Sequence, residues 1–388
     1  IVDRVLADFD GPGPNPPVEV YSLLVDNDER NAGAMLRYEQ RVGSHGLLFG
    51  ANYAENGVDG GEYRNLHGKP NGLRTLVNND ATTLESFAMD RWRLGRGLTL
   101  ILAAQTVSAA RDVRHHDAVT GVVDNPHDRY SSVNPRIGVL WNTARGIGLY
   151  ANVSELFEPP THYQLEDGVA GGDSTLAAMR GTVAEVGTRG DRRFGRNGRW
   201  SWDLSLYYAQ IEDEILSVED PHAPGTNLAT NVDATVHAGL EGLFRAELPL
   251  GIAGDWSMRP VVSLTVNDFH FVGDPTYGDN TLPAAPRYAV RSEIVFRARN
   301  GFEIGPTFDV VGKRYADFAN GYEIPAYSLV GLRAGWSNDR LRAFAEIHNL
   351  GDEKYVADHS VRSVARANDA ILNPGEPLSV YVGVSMGF

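Results

Sequence analysis

The sequence predicts an all-β fold, a transmembrane antiparallel β-barrel of about 15 strands. Three observations predict it: apolar and polar residues alternate in many segments, short turns alternate with long connections, and 42 of the 388 residues are glycine. Alternation with a period of two residues is the signature of a β-strand. Recurring clusters of Gly, Asn and Asp mark the turns that a many-stranded protein requires.

The C-terminal segment shows the alternation most clearly. Small or polar residues separate a series of apolar ones, namely Leu378, Val380, Val382, Val384, Met386 and Phe388. In a membrane barrel the apolar face of a strand meets lipid and the other face meets a wet lumen. We therefore expect the apolar residues from Leu378 to Met386 to face outward, and Tyr381 and Ser385 to face inward. A half-buried strand of a soluble sandwich has the same period, so alternation alone leaves both folds open.

The connections between strands distinguish these two folds. Short turns are expected at Val42–His45, Arg93–Gly97, Asn142–Gly146, Ala298–Gly301 and Ser337–Arg340. Long loops are expected at residues 56–83, 110–131, 157–182, 217–233, 272–286, 314–326 and 356–376. Short turns at one end and long loops at the other are typical of an outer-membrane barrel. Several strands also look longer than the ~9 to 11 residues that cross a bilayer.

The direction of the first and last strands indicates how much of a barrel is present. The first predicted strand, near Asp26–Val42, precedes a short turn, and the last follows a long loop, so both run toward the short-turn end. Their common direction requires an odd number of strands, whereas complete bacterial barrels have an even number. We therefore expect residues 1–388 to be one barrel domain without its N-terminal strands, beginning inside the loop of residues 8–18.

Composition excludes several functional classes. No window approaches 18 consecutive apolar residues, so no transmembrane helix is predicted. The absence of cysteine excludes disulfides and thiolate metal sites, and a net charge of -15 disfavours nucleic-acid binding. The sequence contains no nucleophile elbow, phosphate loop or zinc-protease motif. We expect neither an enzyme nor a cofactor.

Several segments resemble motifs of TonB-dependent outer-membrane receptors. They are Val133–Val139, which resembles the "SPRLG" strand, Ser154–Pro160, which resembles "S.SF.PP", Ala184–Gly190, which resembles "EVG.KG", and Asn349–Tyr355, which resembles "NL.D..Y". The terminal Phe388 resembles the barrel-assembly signal of the family. Together these segments extend the resemblance over roughly residues 30–388. Asn267–Pro283 resembles the ferric-citrate-receptor-like branch.

The resemblance implies a barrel of about 22 strands with a plugged lumen, of which this chain would lack the plug. It implies active uptake of a scarce nutrient, an iron-siderophore or other ferric chelate, across the outer membrane of a Gram-negative bacterium. The implied partners are the TonB-ExbB-ExbD complex through the missing N-terminal part, outer-membrane lipid and lipopolysaccharide, and the barrel-assembly machinery through Phe388. Nucleic acid is not among them. The alternative is a passive, porin-like channel.

An anionic chelate requires cations at the mouth of the barrel, and arginine binds carboxylates with two parallel hydrogen bonds. The candidate ligand-binding residues lie in or beside predicted long loops: Arg64, Arg111, Arg114, Arg129, Tyr163, Tyr277 and Arg362. The alternative interpretation is that the arginines pair with neighbouring carboxylates and that the tyrosines pack loop against loop. Histidines near Asp117 match no ligand spacing, and adjacent residues of an extended chain point to opposite sides, so no metal site is predicted.

Overall fold

The structure is a computed structural model that describes residues 23–66, 69–169, 171–195, 197–219, 227–251, 255–367, 369 and 371–387. The expected loop at residues 8–18 and the terminal Phe388 lie outside the described residues. Among those described, no helix combines the length and the apolar character needed to cross a membrane.

The described residues form strands almost throughout, with one short helix. The first ten strands are β1 Leu23–Val42, β2 His45–Leu66, β3 Lys69–Gly95, β4 Leu98–Asp117, β5 Val123–Asp124, β6 His127–Asn142, β7 Ile147–Glu158, β8 Met179–Phe194, β9 Gly198–Glu219 and β10 Asn227–Pro249. The remaining strands are β11 Ser257–Phe271, β12 Tyr288–Arg297, β13 Phe302–Val311, β14 Arg314–Tyr315, β15 Glu323–Ile324, β16 Tyr327–Ser337, β17 Leu341–His348, β18 Val356–His359, β19 Leu372–Pro374 and β20 Ser379–Met386. The helix α1 is His162–Glu166.

One antiparallel sheet contains all the long strands. Its order follows the chain, from β1 to β4, β6 to β13, then β16, β17 and β20, and β5 pairs at the side of β4. Two small sheets, β14 with β15 and β18 with β19, lie in the long loops. This arrangement confirms the prediction of an all-β fold with about 15 antiparallel strands.

The strand register extends the alternation across the sheet, because residues paired directly opposite each other share a face. Val382 pairs with Ala345, whereas its neighbour Tyr381 pairs with Glu346. We call the face that carries Val382 the apolar face and the face that carries Tyr381 the polar face. Ser385 lies on the polar face, and the residues expected to face outward share the apolar face and are exposed: Leu378, Val380, Val382, Val384 and Met386.

Charged groups cross-link neighbouring strands on the polar face. The Arg333 guanidinium lies 2.9 Å from a Glu293 carboxylate oxygen and 3.9 Å from one of Glu346. The buried apolar clusters lie elsewhere, around Phe271, Tyr130 and Ile324, where long loops meet the sheet. The packing of the described residues is thus unlike that of a two-sheet sandwich, in which the core fills the space between the sheets.

All six tryptophans of the chain lie beside short turns. They are Trp92, Trp141, Trp200, Trp202, Trp256 and Trp336. Trp200 and Trp202 stack with ring centroids 4.7 Å apart, and Trp336 donates a hydrogen bond to the Asn300 carbonyl at 3.1 Å. Tryptophan is enriched where the polar and apolar parts of a membrane meet. The tryptophans therefore form a belt at the short-turn end of the sheet.

The predicted loop at residues 56–83 is wrong, because β2 and β3 continue through it as a hairpin to residues 66 and 69. Gly57, Gly60 and Gly61 of this segment lie within β2 and do not mark a turn. A Cβ at Gly60 would lie 2.4 Å from the Asp26 carbonyl oxygen, so glycine permits close strand approach there. Residues 110–131 are likewise mostly strand, and the described residues of the range 217–233 belong to β9 and β10. At 27 residues, β3 projects well beyond the ~9 to 11 residues that a bilayer requires.

Two of the motifs have direct physical explanations. A Cβ at Gly187, in the segment Ala184–Gly190, would lie 2.4 Å from the Tyr150 ring, so any larger residue displaces that ring. Asn349 is buried and adopts a positive φ of 49°. Its side-chain amide donates to the carbonyls of Glu353 and Glu376, both at 2.9 Å. Asn349 thus joins the beginning of the last long loop to its end.

Candidate functional site

The long loop between β7 and β8 folds over the polar face of the sheet. It contains α1, whose first turn is closed by a capping box: Thr161 Oγ1 accepts from the Gln164 backbone N–H at 3.2 Å, and Gln164 Oε1 accepts from the Thr161 N–H at 2.8 Å. Leu165 of this helix is buried. α1 contacts β3 and β4 on one side and β10 on the other. The loop therefore spans the polar face.

Polar contacts hold both sides of this loop. Asn79 Nδ2 donates to Glu166 Oε2 at 3.5 Å, and His115 Nε2 lies 3.3 Å from Glu166 Oε1. On the other side, the Val169 N–H donates to the Ala229 carbonyl at 2.9 Å. These three contacts join the loop to strand segments at the long-loop end of the sheet.

Two carboxyl groups lie at the end of α1, and that of Glu166 is partly buried. Burial, together with the nearby carboxylates of Asp167 and Glu62, raises the pKa of Glu166 to about 7. Burial also raises the pKa of Asp167. Glu166 therefore changes its charge near neutral pH. Within the described part of the chain, no group of three or more His, Asp and Glu side chains is arranged to hold a metal ion.

The three last long loops, residues 272–286, 312–326 and 349–378, pack into one unit that we call the loop cap. Phe271, Leu282 and Phe318 form its apolar centre, and all three are buried. Asp317 is fully buried, and its carboxylate accepts backbone N–H groups at 2.9 to 3.1 Å from both the second and the third loop, namely those of Gly321, Tyr322 and Ala365. This carboxylate thus joins the second loop to the third.

Side-chain amides and a buried arginine complete the loop cap. Asn320 Nδ2 donates to the Thr281 carbonyl at 2.8 Å, and Asn320 Oδ1 accepts the Thr281 N–H at 2.8 Å, which joins the first loop to the second. Arg314 is 6% exposed and donates to the carbonyls of Val356 and Ala357 at 2.9 and 3.3 Å. These contacts hold the three loops of the loop cap against one another.

The structure places Arg111 on the polar face, directly under the loop of α1. Its guanidinium donates to the carbonyls of Pro160 and Ala110 at 2.9 Å and to that of Thr82 at 3.0 Å. All of these acceptors are neutral backbone groups. Arg111 therefore ties the start of the α1 loop to the sheet, a packing role that the sequence did not reveal.

Arg114 and Arg129 lie on the face opposite to Arg111. Arg114 is three residues along the same strand, and Arg129 pairs with Ala110, the residue before Arg111. Arg114 also forms an ion pair with Asp112 at 3.0 Å. The five arginines were expected to lie around one lumen. The strand register instead places Arg114 and Arg129 on one face of the sheet and Arg111 on the other. Their part in ligand binding stays a prediction.

The other candidates are distributed between the projecting strands and the loops. Arg64 is exposed near the far end of β2. Tyr163, in α1, is half exposed and donates to Glu29 at 3.3 Å. Tyr277 packs against Phe271 and Phe318 in the loop cap, and Arg362 is part of the same cap through its backbone hydrogen bond to Ala316. The structure thus brings Arg111 and Tyr163 to one loop, and Tyr277 and Arg362 to another group of loops.

Sequence reasoning missed the groups that organise these loops, above all Glu166 and Asp317. A signal existed for α1, because Thr161 and Gln164 have capping-box spacing. Asp317 precedes an Asn-Gly turn at Asn320, which predicts local hydrogen bonding. Their burial depends on distant segments, and no local pattern contains that information.

Comparison with known proteins identifies a family that matches most of the chain. Residues 7–350 match the family described as "TonB dependent receptor-like, beta-barrel". The Metal-pseudopaline receptor CntO of Pseudomonas aeruginosa (strain UCBPP-PA14) is 24% identical over 266 residues, which are 66% of this chain and 34% of that protein. The chain therefore spans about a third of the length of this relative.

Solved structures have the same fold. The ferric citrate transporter FecA in its unliganded form superposes with a TM-score of 0.74 at 17% identity, covering 94% of this chain and 55% of that one. The ferric yersiniabactin uptake receptor FyuA from Yersinia pestis gives a TM-score of 0.70 at 17% identity, covering 95% and 55%. The chain spans about half the length of these receptors. Because the family match covers most of the chain, this protein belongs to the TonB-dependent receptors and contains their β-barrel.

Proposed function

We propose that this chain is part of an outer-membrane receptor that takes up a metal chelate, most specifically a ferric siderophore or a related ferric chelate. The family consists of transport receptors rather than enzymes. Its relatives include a metal-pseudopaline receptor and proteins that take up ferric yersiniabactin and ferric citrate. The observation that carries the proposal is a polar sheet face covered at its long-loop end by two folded groups of loops.

In this proposal the two faces of the sheet have separate tasks. The apolar face and the tryptophan belt contact outer-membrane lipid, and the long-loop end faces the outside, where lipopolysaccharide surrounds it. The polar face lines the path of the chelate. Energy for uptake reaches the receptor from the TonB-ExbB-ExbD complex.

The α1 loop and the loop cap are the surfaces on which the chelate is captured. Arg64 and Arg362 are the arginines proposed to attract an anionic chelate, together with Arg111 once the α1 loop moves away from it. Tyr163 is half exposed and offers a ring for stacking. Arg114 and Arg129 would act from the other face of the projecting strands.

Uptake of radioactive iron tests the proposal. Cells that express the full-length receptor are supplied with ferric citrate, a ferric catecholate and a ferric hydroxamate, each compared with a strain from which the gene is deleted. We expect at least one chelate to accumulate only when the receptor is present, and an uncoupler to abolish the accumulation. Accumulation that persists with the uncoupler would indicate the passive, porin-like alternative. Equal uptake of all chelates by both strains would contradict a role in ferric-chelate transport.

A further inference from the structure

The short-turn end of the sheet carries a group of arginines that have no acidic partner among the residues the structure describes, although the chain has a net charge of -15. Arg96 and Arg145 lie in two neighbouring turns, β3–β4 and β6–β7, and both are exposed. Neither forms an ion pair or a side-chain hydrogen bond with any residue that the structure describes. Arg192, at the end of β8, donates to the Asp191 carbonyl at 3.2 Å.

These three arginines are contiguous along the edge of the sheet. The Asn142 N–H donates to the Gly97 carbonyl at 2.8 Å, which joins the turn of Arg96 to the strand that leads to Arg145. The Arg192 guanidinium lies against the turn of Arg145, since a Cβ on Gly146 would be 3.2 Å from Arg192 Nη1. Asp191, the nearest carboxylate in sequence, is engaged by Arg199 at 2.6 Å.

Tryptophans border the same arginines on the apolar face. The Arg192 guanidinium lies 5.9 Å from the centre of the Trp202 ring. Trp141 is 47% exposed and pairs with Leu98 and Leu149, two apolar-face residues. We call Arg96, Arg145, Arg192, Trp141 and Trp202 the basic rim. Its arginines lie in or beside short turns, and its tryptophan rings lie on the apolar face.

We propose that the basic rim is a binding site for the headgroup of an anionic phospholipid, such as phosphatidylglycerol, in the leaflet at the short-turn end. Guanidinium groups bind phosphate with paired, charge-assisted hydrogen bonds. Tryptophan rings favour the level of the glycerol and headgroup, and basic residues at that level attract anionic lipids. The acyl chains then lie along the apolar face beside Trp141.

This inference rests on the membrane placement given in the proposed function, but on no property of the transported chelate. It is tested with the full-length receptor in nanodiscs of phosphatidylcholine, into which phosphatidylglycerol is titrated. Bound lipid is counted by native mass spectrometry. We expect the variant R96Q/R145Q/R192Q to bind phosphatidylglycerol about tenfold or more weakly than the unaltered receptor.

A matched control removes the same charge from the other face. R91Q/R189Q/R193Q alters arginines of β3 and β8 whose alternation places them on the polar face. We expect its lipid affinity to be unchanged. If the triple rim variant does not assemble, the three single variants are titrated instead, and each is expected to bind the lipid a few-fold more weakly.

Three results would overturn the inference: equal phosphatidylglycerol binding by the rim variants and the unaltered receptor, an equal loss in the control variant, or full displacement of the lipid by millimolar inorganic phosphate. The last result would identify a site for free phosphate. A receptor that failed to insert into the discs at all would contradict the membrane placement itself, whereas insertion without lipid preference would contradict only this inference.

Discussion

At the scale of single residues, the fully buried carboxyl group of Asp317 and the partly buried one of Glu166 have opposite surroundings. Asp317 receives three backbone N–H groups within 3.1 Å, so its oxygens are satisfied by loop backbone. Glu166 accepts from the Asn79 amide at 3.5 Å, lies 3.3 Å from His115 Nε2, and has the carboxylates of Asp167 and Glu62 as neighbours. The first group stabilises the loop cap, and the second makes the docking of the α1 loop depend on pH.

Replacing Asp317 with alanine is expected to loosen the loop cap while the sheet stays assembled. The change leaves three backbone N–H groups without their acceptor, a cost of roughly 3 kcal/mol. Limited proteolysis of the receptor should then cut within residues 312–326 or 349–378 much faster than in the unaltered protein. Asp309→Asn is the control, because its partner Arg291 is exposed and such surface ion pairs contribute little. Equal protection of the loops in D317A and the unaltered receptor would show that the apolar cluster alone holds the cap.

The α1 loop is expected to dock more weakly as pH rises. Docking raises the pKa of the Glu166 carboxyl from 4.5 to about 7, so below pH 4.5 its titration adds nothing to the free energy of docking. Between pH 4.5 and pH 7 docking becomes progressively less favourable. Above pH 7 the full penalty is present, on the order of 3 kcal/mol at most. In a Leu165→Cys receptor, labelling by a maleimide should therefore rise between pH 5 and pH 8 relative to the exposed Ser174→Cys control. Adding Glu166→Gln should remove this pH dependence, and an undiminished rise in that variant would assign the effect to another group.

At the scale of elements, the sequence predicted the strands well where alternation was the only signal. The apolar and polar faces of β20 follow directly from the spacing of Val380 and Val382. Prediction failed at β2 and β3, where Gly57, Gly60 and Gly61 suggested a loop. In the folded hairpin, glycine and asparagine serve cross-strand contacts, such as the Asn56–Asn31 hydrogen bond at 2.5 Å. A composition typical of turns is equally suited to closely packed strands outside the membrane.

The two faces of β20 are expected to respond differently to the same substitution. Val382→Arg places a charge on the apolar face, where near the middle of a bilayer it costs about 2 to 4 kcal/mol. Tyr381→Arg places the charge on the polar face, opposite Glu346 and near Glu376. The folded fraction of the full-length receptor, measured by its heat-modifiable mobility in gels, should fall for V382R and remain near normal for Y381R. The reverse order would mean that the assigned faces are exchanged.

At the scale of the whole molecule, the chain separates its functions along the strands. The tryptophans and the basic rim lie at the short-turn end, and the folded loops lie at the other end. The sequence predicted this polarity through loop lengths. It did not predict which loops dock on each other, because the docking depends on Asp317, Arg314 and Arg111 meeting backbone carbonyls and amides from distant segments. Every residue has a backbone carbonyl, so a sequence pattern does not reveal which backbone group a side chain will contact.

The distribution of charge between the two ends of the sheet predicts how salt affects the association rate of an anionic chelate. The chain carries -15 overall, and the unpaired arginines of the basic rim lie at the end remote from the loops, so the loop end is more acidic than the average. An anionic ferric chelate is therefore repelled at long range and held only after close contact with individual arginines.

Salt screens such repulsion, with a Debye length of about 10 Å at 0.1 M. The association rate constant of ferric citrate with the full-length receptor, followed by stopped-flow fluorescence, should rise roughly threefold between about 20 and about 300 mM salt. A neutral ferric hydroxamate serves as the control and should show no such change. A rate that falls with salt for the anionic chelate would mean that the loop end attracts anions, and would favour a grouping of arginines at the mouth after all.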